Sequence, residues 1–205
     1  MMKRSSILGA AVVAVLALPA VAEARALDLR VAANGGGMYG WGSDSRTPDF
    51  FKQTRGPGFG FEVGAKVLVL DFSVDFTQFV NNGNLEGTLI QLLAGTDVDI
   101  PAGQAKLPNG MSANIIHLGI VAGGALGTGA PVTLPVTNDQ LADKGFVSRF
   151  RFGYEYFLNQ FMAIGSHLDL GYHYFLGGQA VNNASAHSSG YHGMLMADFT
   201  FHLGV

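Results

Sequence analysis

Residues 146–175 read FVSRFRFGYEYF, LNQ and FMAIGSHLDLGYHYF, and this stretch decides the fold class. In the first limb, apolar residues occupy every second position from Phe150 to Tyr156, with charged or small residues between them. The second limb alternates in the same way from Met162 to Tyr174. A period of two predicts two β-strands, and the three residues Leu158–Gln160 between them predict a hairpin.

The two faces of this hairpin differ in a way that is typical of a transmembrane barrel. One face is almost wholly apolar, and the other carries charge beside glycine, which predicts lipid outside and a polar lumen inside. Each limb is also about as long as the tilted strand of roughly 9–11 residues that crosses a bilayer. Charged residues make up only 13% of the 205-residue chain, against about 25% in soluble domains. A barrel that faces lipid needs little surface charge.

The N-terminus has the pattern of an export signal. Two basic residues precede the apolar run Ile7–Leu18, and small-residue cleavage sites follow at Ala24 and Ala26. This predicts a cleaved secretory signal peptide over residues 1–26, with cleavage after Ala26 or, alternatively, after Ala24. The chain has no cysteine, so no disulfide or lipid attachment is expected. Its net charge of −3 argues against nucleic acid as a partner.

The rest of the chain, residues 27–205, contains eight alternating segments and is predicted to form one barrel domain. They are Leu27–Trp41, Gly58–Val69, Leu70–Phe79, Thr88–Ile100, Asn114–Ala125, Phe146–Phe157, Phe161–Phe175 and Tyr191–Leu203. An even number of strands predicts an all-β, antiparallel up-and-down transmembrane barrel with both termini in the periplasm. The short turns then lie on the periplasmic side and the long loops, among them Gly177–Gly190, lie outside.

Aromatic residues cluster near the predicted strand ends, where membrane barrels carry girdles. The predicted girdle residues are Tyr39, Trp41, Phe76, Phe79 and Tyr172–Phe175 at the outer end, and Tyr156, Phe157, Phe161, Phe199 and Phe201 at the periplasmic end. The alternative is a secreted soluble barrel of the lipocalin kind, in which the apolar face would be the core. Low charge, glycine on the polar face and the aromatic ends favour the membrane barrel.

The polar faces of the strands supply the candidate site. Eight strands enclose a space just wide enough for side chains to fill, so charges inside must be paired and hydrogen-bonded. We therefore predict a salt-bridged plug in the lumen, with a conducting path as the alternative. The predicted network consists of Arg30, Glu62, Lys66, Asp71, Asp75, Arg149, Arg151, Glu155, His167, Asp169 and Asp198.

The opening hairpin predicts which charges face each other. A three-residue turn centred on Asn159 sets Arg149 opposite Asp169 and Arg151 opposite His167. Asp169 is then also diagonal to Arg151. Two arginines over one carboxylate would leave positive charge, so Glu62, Asp71 or Asp75 is expected to lean across the barrel and complete the network.

Other polar residues give weaker indications of a metal site or a catalytic site. His167 and His173 are roughly 20 Å apart on an extended strand and cannot share an ion, whereas a pair such as His173 and His192 could. His187 and Ser189 have the His-x-Ser spacing that resembles the outer-membrane lipid A deacylases, but they fall in a predicted loop with no acid nearby in sequence. The sequence predicts no catalytic residue, cofactor or metal site.

From the signal peptide to the last strand, HGMLMADFTFHLGV, the chain resembles the small outer-membrane barrels of the OmpA membrane-domain, OmpX and opacity-protein type. The resemblance implies a bacterial outer-membrane location, reached through the periplasm and the barrel-assembly machinery. It also implies contact with outer-membrane lipid and lipopolysaccharide. The implied role is structural or surface-interacting, without enzymatic activity. A narrow porin-like channel is the alternative, and a lipid A-modifying enzyme is the third.

Overall fold

The computed structural model describes residues 27–45, 56–81, 84–128, 143–176 and 187–204. The predicted signal peptide lies outside these ranges. They contain eight β-strands, which are β1 (Leu27–Ser45), β2 (Gly56–Val67), β3 (Leu70–Asn81), β4 (Asn84–Pro101), β5 (Asn114–Thr128), β6 (Asp143–Phe157), β7 (Met162–Leu176) and β8 (His187–Gly204). No described segment is a helix long and apolar enough to cross a membrane.

The strands close into one barrel. Each strand pairs antiparallel with the next along the chain, and β8 pairs with β1. The predicted eight-stranded up-and-down barrel is confirmed. The β2–β3 turn at Leu68–Val69 and the β6–β7 turn at residues 158–161 lie at the end that also holds Leu27 and Gly204. We call this end the lower end and the opposite one the upper end.

Several strands are longer at the upper end than the sequence pattern predicts. β1 runs past Trp41, β4 begins at Asn84, and β8 begins at His187. Backbone pairing there continues where the apolar alternation has stopped, because ladder hydrogen bonds need no particular side chain. His187 and Ser189 therefore lie in a strand, and the prediction that they belong to a loop is wrong.

The predicted division between the two faces of the sheet is confirmed. Phe61 on β2 is 47% exposed, while its neighbour Glu62 is 4% exposed and points inward. Large apolar side chains are exposed on the outside of every strand. Examples in strand order are Val31, Phe61, Phe72, Leu92, Ile120, Phe150, Leu168 and Phe199.

The outside of the barrel is suited to lipid and not to water. The outward positions of β1 from Leu27 to Trp41, of β4 from Ile90 to Ile100, and of β2, β3 and β5 carry no charged residue. Lys144, on β6, lies close to the upper end. An apolar belt around a closed barrel is the architecture of a membrane-spanning barrel. The soluble alternative, which needs the apolar face inside, is wrong.

Part of the predicted aromatic girdle lies on the outer surface. At the upper end Trp41 stacks between Tyr39 and Tyr191, at centroid distances of 6.4 and 6.5 Å. At the lower end Phe161 stacks on Phe201 at 6.2 Å. Rings at both edges of an apolar belt are typical of the aromatic girdles of membrane barrels.

Three predicted girdle residues face inward instead. Phe79, Phe157 and Phe175 are almost fully buried inside the barrel. Each has the inward parity of its strand, so the register places its ring in the lumen although the residue stands near a strand end. A position near a strand end does not by itself identify a girdle residue, because the side chain must also point outward.

Inward glycines allow close packing of the barrel wall, which gives a first testable prediction. A Cβ at Gly60 would overlap the backbone of Phe76, whereas a Cβ at Gly124 would meet nothing within 4 Å. We expect Gly60→Ala to lower the free energy of unfolding by about 1–3 kcal/mol through overpacking. Gly124→Ala should be neutral or slightly stabilising. Urea unfolding of the two variants in detergent is the measurement, and equal effects would contradict this packing.

Candidate functional site

The lumen is built in three layers, and β6 shows their order. From the lower end, its inward side chains are Phe157, Glu155, Arg151, Arg149 and Val147. Phe157 belongs to one apolar cluster and Val147 to another. The charged side chains of the strand lie between them. We call these levels the lower apolar layer, the charged layer and the upper apolar layer.

The lower apolar layer lies at the lower ends of β5 to β7, beside the β4–β5 connection. Ile115, Phe157 and Ala163 form a buried cluster against which Leu107 of the connection packs. The backbone N–H of Phe157 donates to the carbonyl of Ala113 at 2.8 Å, which ties the connection to β6. The connection therefore packs against the lower ends of β5, β6 and β7.

The upper apolar layer departs from the polar lumen that the sequence predicts. Its residues come from β1 and from β3 to β8, and all are at most 5% exposed. They are Met38, Phe79, Leu89, Leu93, Val121, Ala125, Val147, Phe175, Met194 and Met196. The sequence hid this layer because inward residues such as Leu93 and Val121 stand next to outward residues that are also apolar, so polarity does not alternate at these positions.

Asp169 is the centre of the charged layer. It is 0% exposed and accepts a two-pronged contact from Arg151, with Nε at 2.9 Å and Nη2 at 3.2 Å. The Nη1 of Arg149 lies 3.0 Å from the same carboxylate, and Arg149 also bonds Asp75. Guanidinium groups match carboxylates in this way, so the buried charges are paired and hydrogen-bonded.

The pairing inside the hairpin differs from the prediction. Arg151, and not Arg149, lies directly opposite Asp169, while His167 lies opposite Gly153. The turn has four residues between the strands, because the side-chain oxygen of Asn159 accepts the backbone N–H groups of Phe161 and Met162. The register moves by two residues, which leaves every side chain on its predicted face.

Carboxylates from distant strands complete the network around the two arginines. Glu62 accepts from Arg30 at 2.7 Å and from Arg151 at 3.0 Å. Arg30 also contacts Asp71 at 2.8 Å. The charged layer thus joins β1, β2, β3, β6 and β7 by side chains alone, across the width of the barrel.

A second cluster lies lower in the charged layer. The ammonium of Lys66 bonds Asp97 at 2.6 Å and also bonds Asp99. His117 lies between Asp99, at 2.8 Å from Nδ1, and Glu155, at 2.9 Å from Nε2. The cluster links β2, β4, β5 and β6.

The ligand-type atoms of Asp97, Asp99 and His117 lie within 4.8 Å of one another, a spacing that could hold a metal ion. Lys66 already supplies a positive charge to both carboxylates. A metal ion would have to displace this ammonium, so the cluster is complete as an internal ion pair.

Two more histidines join carboxylates around a small cavity. His167 Nδ1 is 2.8 Å from Asp198, and His202 Nδ1 is 2.7 Å from Asp28. His202 Nε2 lies 3.4 Å from Glu155. The cavity between these groups and the arginines has a volume of about 60 Å³. That space suits a few water molecules and is far below the several hundred Å³ of a typical ligand pocket.

All eleven residues of the predicted network lie in the charged layer, where the structure brings them into contact with partners. The network also contains five residues that the prediction left out, although each has the inward parity of its strand. They are Asp28, Asp97, Asp99, His117 and His202. Parity could have found them, whereas their partners could not be read from the sequence.

Comparison with known proteins finds similar solved structures but no relative by sequence. No protein-family model matches the chain, and no curated protein matches it. The fold is similar to the outer membrane protein OprG from Pseudomonas aeruginosa, with 8% identity, 90% of this chain and 99% of that chain covered, and a TM-score of 0.43. The N-terminal barrel domain of Pseudomonas aeruginosa OprF matches with 11% identity, coverage of 85% and 97%, and a TM-score of 0.46.

Neisserial surface protein A matches with 14% identity, coverage of 86% and 96%, and a TM-score of 0.43. These identities are too low to transfer a function. The architecture implied by the resemblance to small outer-membrane barrels is present in the closed barrel and in its apolar belt.

Proposed function

We propose that this protein is a non-enzymatic barrel of the bacterial outer membrane whose lumen is plugged and whose upper loops carry a structural or surface-interaction role. The observation that carries the proposal is the charged layer held between two apolar layers. The belt of exposed apolar side chains would contact outer-membrane lipid and lipopolysaccharide. Export through the periplasm and insertion by the barrel-assembly machinery belong to the same proposal.

The physical argument for a plug is the cost of moving an ion through these layers. A solute would have to break charge pairs such as Arg151 with Asp169, which are desolvated and hydrogen-bonded. It would then have to cross the upper apolar layer, where a charge loses its hydration among side chains that are mostly apolar, with neutral ones such as Gln91 between them. Both steps oppose conduction.

A narrow channel for small solutes is the second candidate. The observation in its favour is the cavity of about 60 Å³, which is lined by charged groups including Glu62, Lys66 and Arg151. A path would also need an opening through the upper apolar layer. The cavity therefore favours bound water in a closed lumen over a continuous pore.

Conductance separates the two candidates. We expect the purified protein to be electrically silent in planar bilayers, because the paired charges and the apolar side chains above them oppose the passage of an ion. A large, steady pore would contradict the plug and support the channel. A general porin reconstituted in the same bilayers serves as the positive control.

The membrane location has its own test. After carbonate washing of cell envelopes, the protein should stay with the membrane fraction. The unheated protein should also migrate faster on a gel than the heated one, as closed barrels that resist detergent do. Recovery in the soluble periplasm would contradict the location.

A further inference from the structure

Two histidines in the lower part of the charged layer lie on either side of one carboxylate. Oε2 of Glu155 on β6 is 2.9 Å from Nε2 of His117 on β5 and 3.4 Å from Nε2 of His202 on β8. The first contact is a hydrogen bond, and the second is at ion-pair distance. We call these three residues the His–Glu–His bridge. Since β6 and β8 are not neighbours in the sheet, the bridge joins strands across the interior.

The other nitrogen of each ring also faces a carboxylate. Nδ1 of His117 is 2.8 Å from Asp99 on β4, and Nδ1 of His202 is 2.7 Å from Asp28 on β1. Every ring nitrogen of the two histidines therefore lies next to a carboxylate oxygen. An ionised carboxylate only accepts hydrogen bonds, so each of these contacts needs a hydrogen on the ring nitrogen.

The number of ring hydrogens determines whether these contacts attract or repel. A neutral imidazole carries one N–H, so two neutral rings would leave two ring lone pairs directed at carboxylate oxygens. Two imidazolium ions carry an N–H at every ring nitrogen and satisfy all of the contacts. The bridge and its two outer carboxylates are therefore complete only when both rings are doubly protonated.

The surroundings of Glu155 lead to the same requirement. Its described ion pairs are both to imidazoles. The arginines that line the same cavity, Arg30 and Arg151, bond Glu62 instead. Neutral histidines would leave the partly buried charge of Glu155 without a counterion, which is costly.

The surroundings of His117 also contain more negative than positive charge. Asp97 adds a second carboxylate from β4, at 3.4 Å from Nδ1. Lys66 of β2 bonds both Asp97 and Asp99. One ammonium cannot neutralise two carboxylates, so a positive charge on the imidazole balances the second one.

The remaining neighbours of His202 are apolar. Its ring packs against that of Phe157 at a centroid distance of 4.9 Å, and the inward residue of β7 at this end is Ala163. The ring is almost fully buried, so bulk water has little access to it. Its two nitrogens therefore depend on Asp28 and Glu155.

We propose that His117 and His202 are imidazolium ions in the folded barrel and act as a pH-dependent latch that loosens the lower end when they lose their second protons. Loss of such a proton turns an N–H into a lone pair that faces a carboxylate, so attraction becomes repulsion. The contacts that would weaken join β1, β4, β5, β6 and β8. This inference goes beyond the proposed role of the barrel and does not depend on whether the lumen conducts.

The sign of the pH dependence follows from the protons bound in each state. An imidazole exposed in the unfolded chain has mostly lost its second proton at about pH 7.5. The folded barrel binds two protons more, so its stability falls as the pH rises. Each extra proton changes the unfolding equilibrium constant about tenfold per pH unit, so two change it up to about 100-fold.

The test is urea unfolding of the folded barrel in detergent between about pH 7 and 9, below the range in which lysine and tyrosine lose their protons. EDTA in every sample prevents metal ions from replacing the protons. Glu155→Gln should reduce the pH dependence by up to about 100-fold per pH unit, because a glutamine amide can donate to two neutral rings. His202→Gln should reduce it about tenfold per unit.

Thr200→Val is the matched control, because Thr200 is buried, lines the same cavity and has no titratable group. This variant should keep the pH dependence of the parent. The proposal would be overturned if Glu155→Gln and the parent had the same pH dependence, or if Thr200→Val lost as much of it as Glu155→Gln.

Nitrogen NMR of the histidine rings gives a second readout that needs no variant. At about pH 7.5, where a free histidine is mostly neutral, at least two of the six histidines should carry hydrogen on both ring nitrogens. Their signals should disappear or shift in Glu155→Gln. If the variants do not fold, the parent still decides, because fewer than two such rings would overturn the proposal and two or more would support it.

Discussion

Asp169→Ala should lower the free energy of unfolding by about 3–5 kcal/mol, the usual cost of leaving buried partner charges without their counterion. Asp169 has no exposed surface and is contacted by both Arg149 and Arg151. Arg149 keeps Asp75 and Arg151 keeps Glu62 after the change, but one negative charge at the centre is lost. The two guanidinium groups would then keep N–H donors without acceptors, in a space with little water to replace the lost carboxylate.

A double variant separates the charge effect from loss of packing. Asp169→Leu/Arg151→Met removes one acid and one base, so that Arg149 still has Asp75 and Glu62 still has Arg30. Replacing a buried ion pair by apolar side chains of similar size is often neutral. We therefore expect the double variant to be clearly more stable than Asp169→Ala.

Urea unfolding in the same detergent gives the free energies of unfolding of the parent, Asp169→Ala and the double variant. A loss in Asp169→Ala well below about 1 kcal/mol would show that water screens the charged layer, as at an exposed pair. The conductance of Asp169→Ala is a second readout. Flickering openings in this variant but not in the parent would support the plug.

Leu168→Arg should be the second most costly change, at about 2–4 kcal/mol, because the apolar belt cannot solvate a guanidinium near the middle of a bilayer. Leu168 is 38% exposed on the outside of β7. Its partners on the neighbouring strands are Phe152 and Leu195, which are also exposed and apolar. The measurement is unfolding of the protein refolded into lipid vesicles.

The matched control is Leu158→Arg, the same exchange in the β6–β7 turn, where Leu158 is 50% exposed. Near the membrane edge the cost should fall to about 0–1 kcal/mol. Gly190, which the sequence placed in an outer loop, cannot serve as a control because it lies in β8 opposite His173 and is buried. Similar losses at Leu168 and Leu158 would contradict the membrane orientation of the barrel.

The sequence by itself determined the barrel. Strict alternation in the hairpin from Phe146 to Phe175 gave the strands, and it also decided which face each residue occupies. The low content of charged residues then predicted that the face formed by the alternate apolar residues points outward. These features are local, because a side-chain period of two is a property of any single strand and needs no knowledge of its neighbours.

The sequence also found most of the charged residues in the lumen and the sharing of Asp169 by two arginines, but not the register of the hairpin. A one-residue difference in the turn at Asn159 made Arg151 the residue directly opposite Asp169, although Arg149 still contacts the same carboxylate. Contacts such as Arg30 with Asp71 join strands that are not neighbours in the sheet. Such contacts depend on the closure of the barrel and on side-chain reach across it.

Only the tertiary structure decided that the lumen has layers. Inward residues such as Met38, Phe79 and Phe175 come from strands far apart in the chain, and each looks like part of an apolar strand end. Closure brings them to one level because the stagger between successive strands accumulates around the barrel. The register of all eight strands, and not the pattern of any one, therefore determines which side chains meet in the interior.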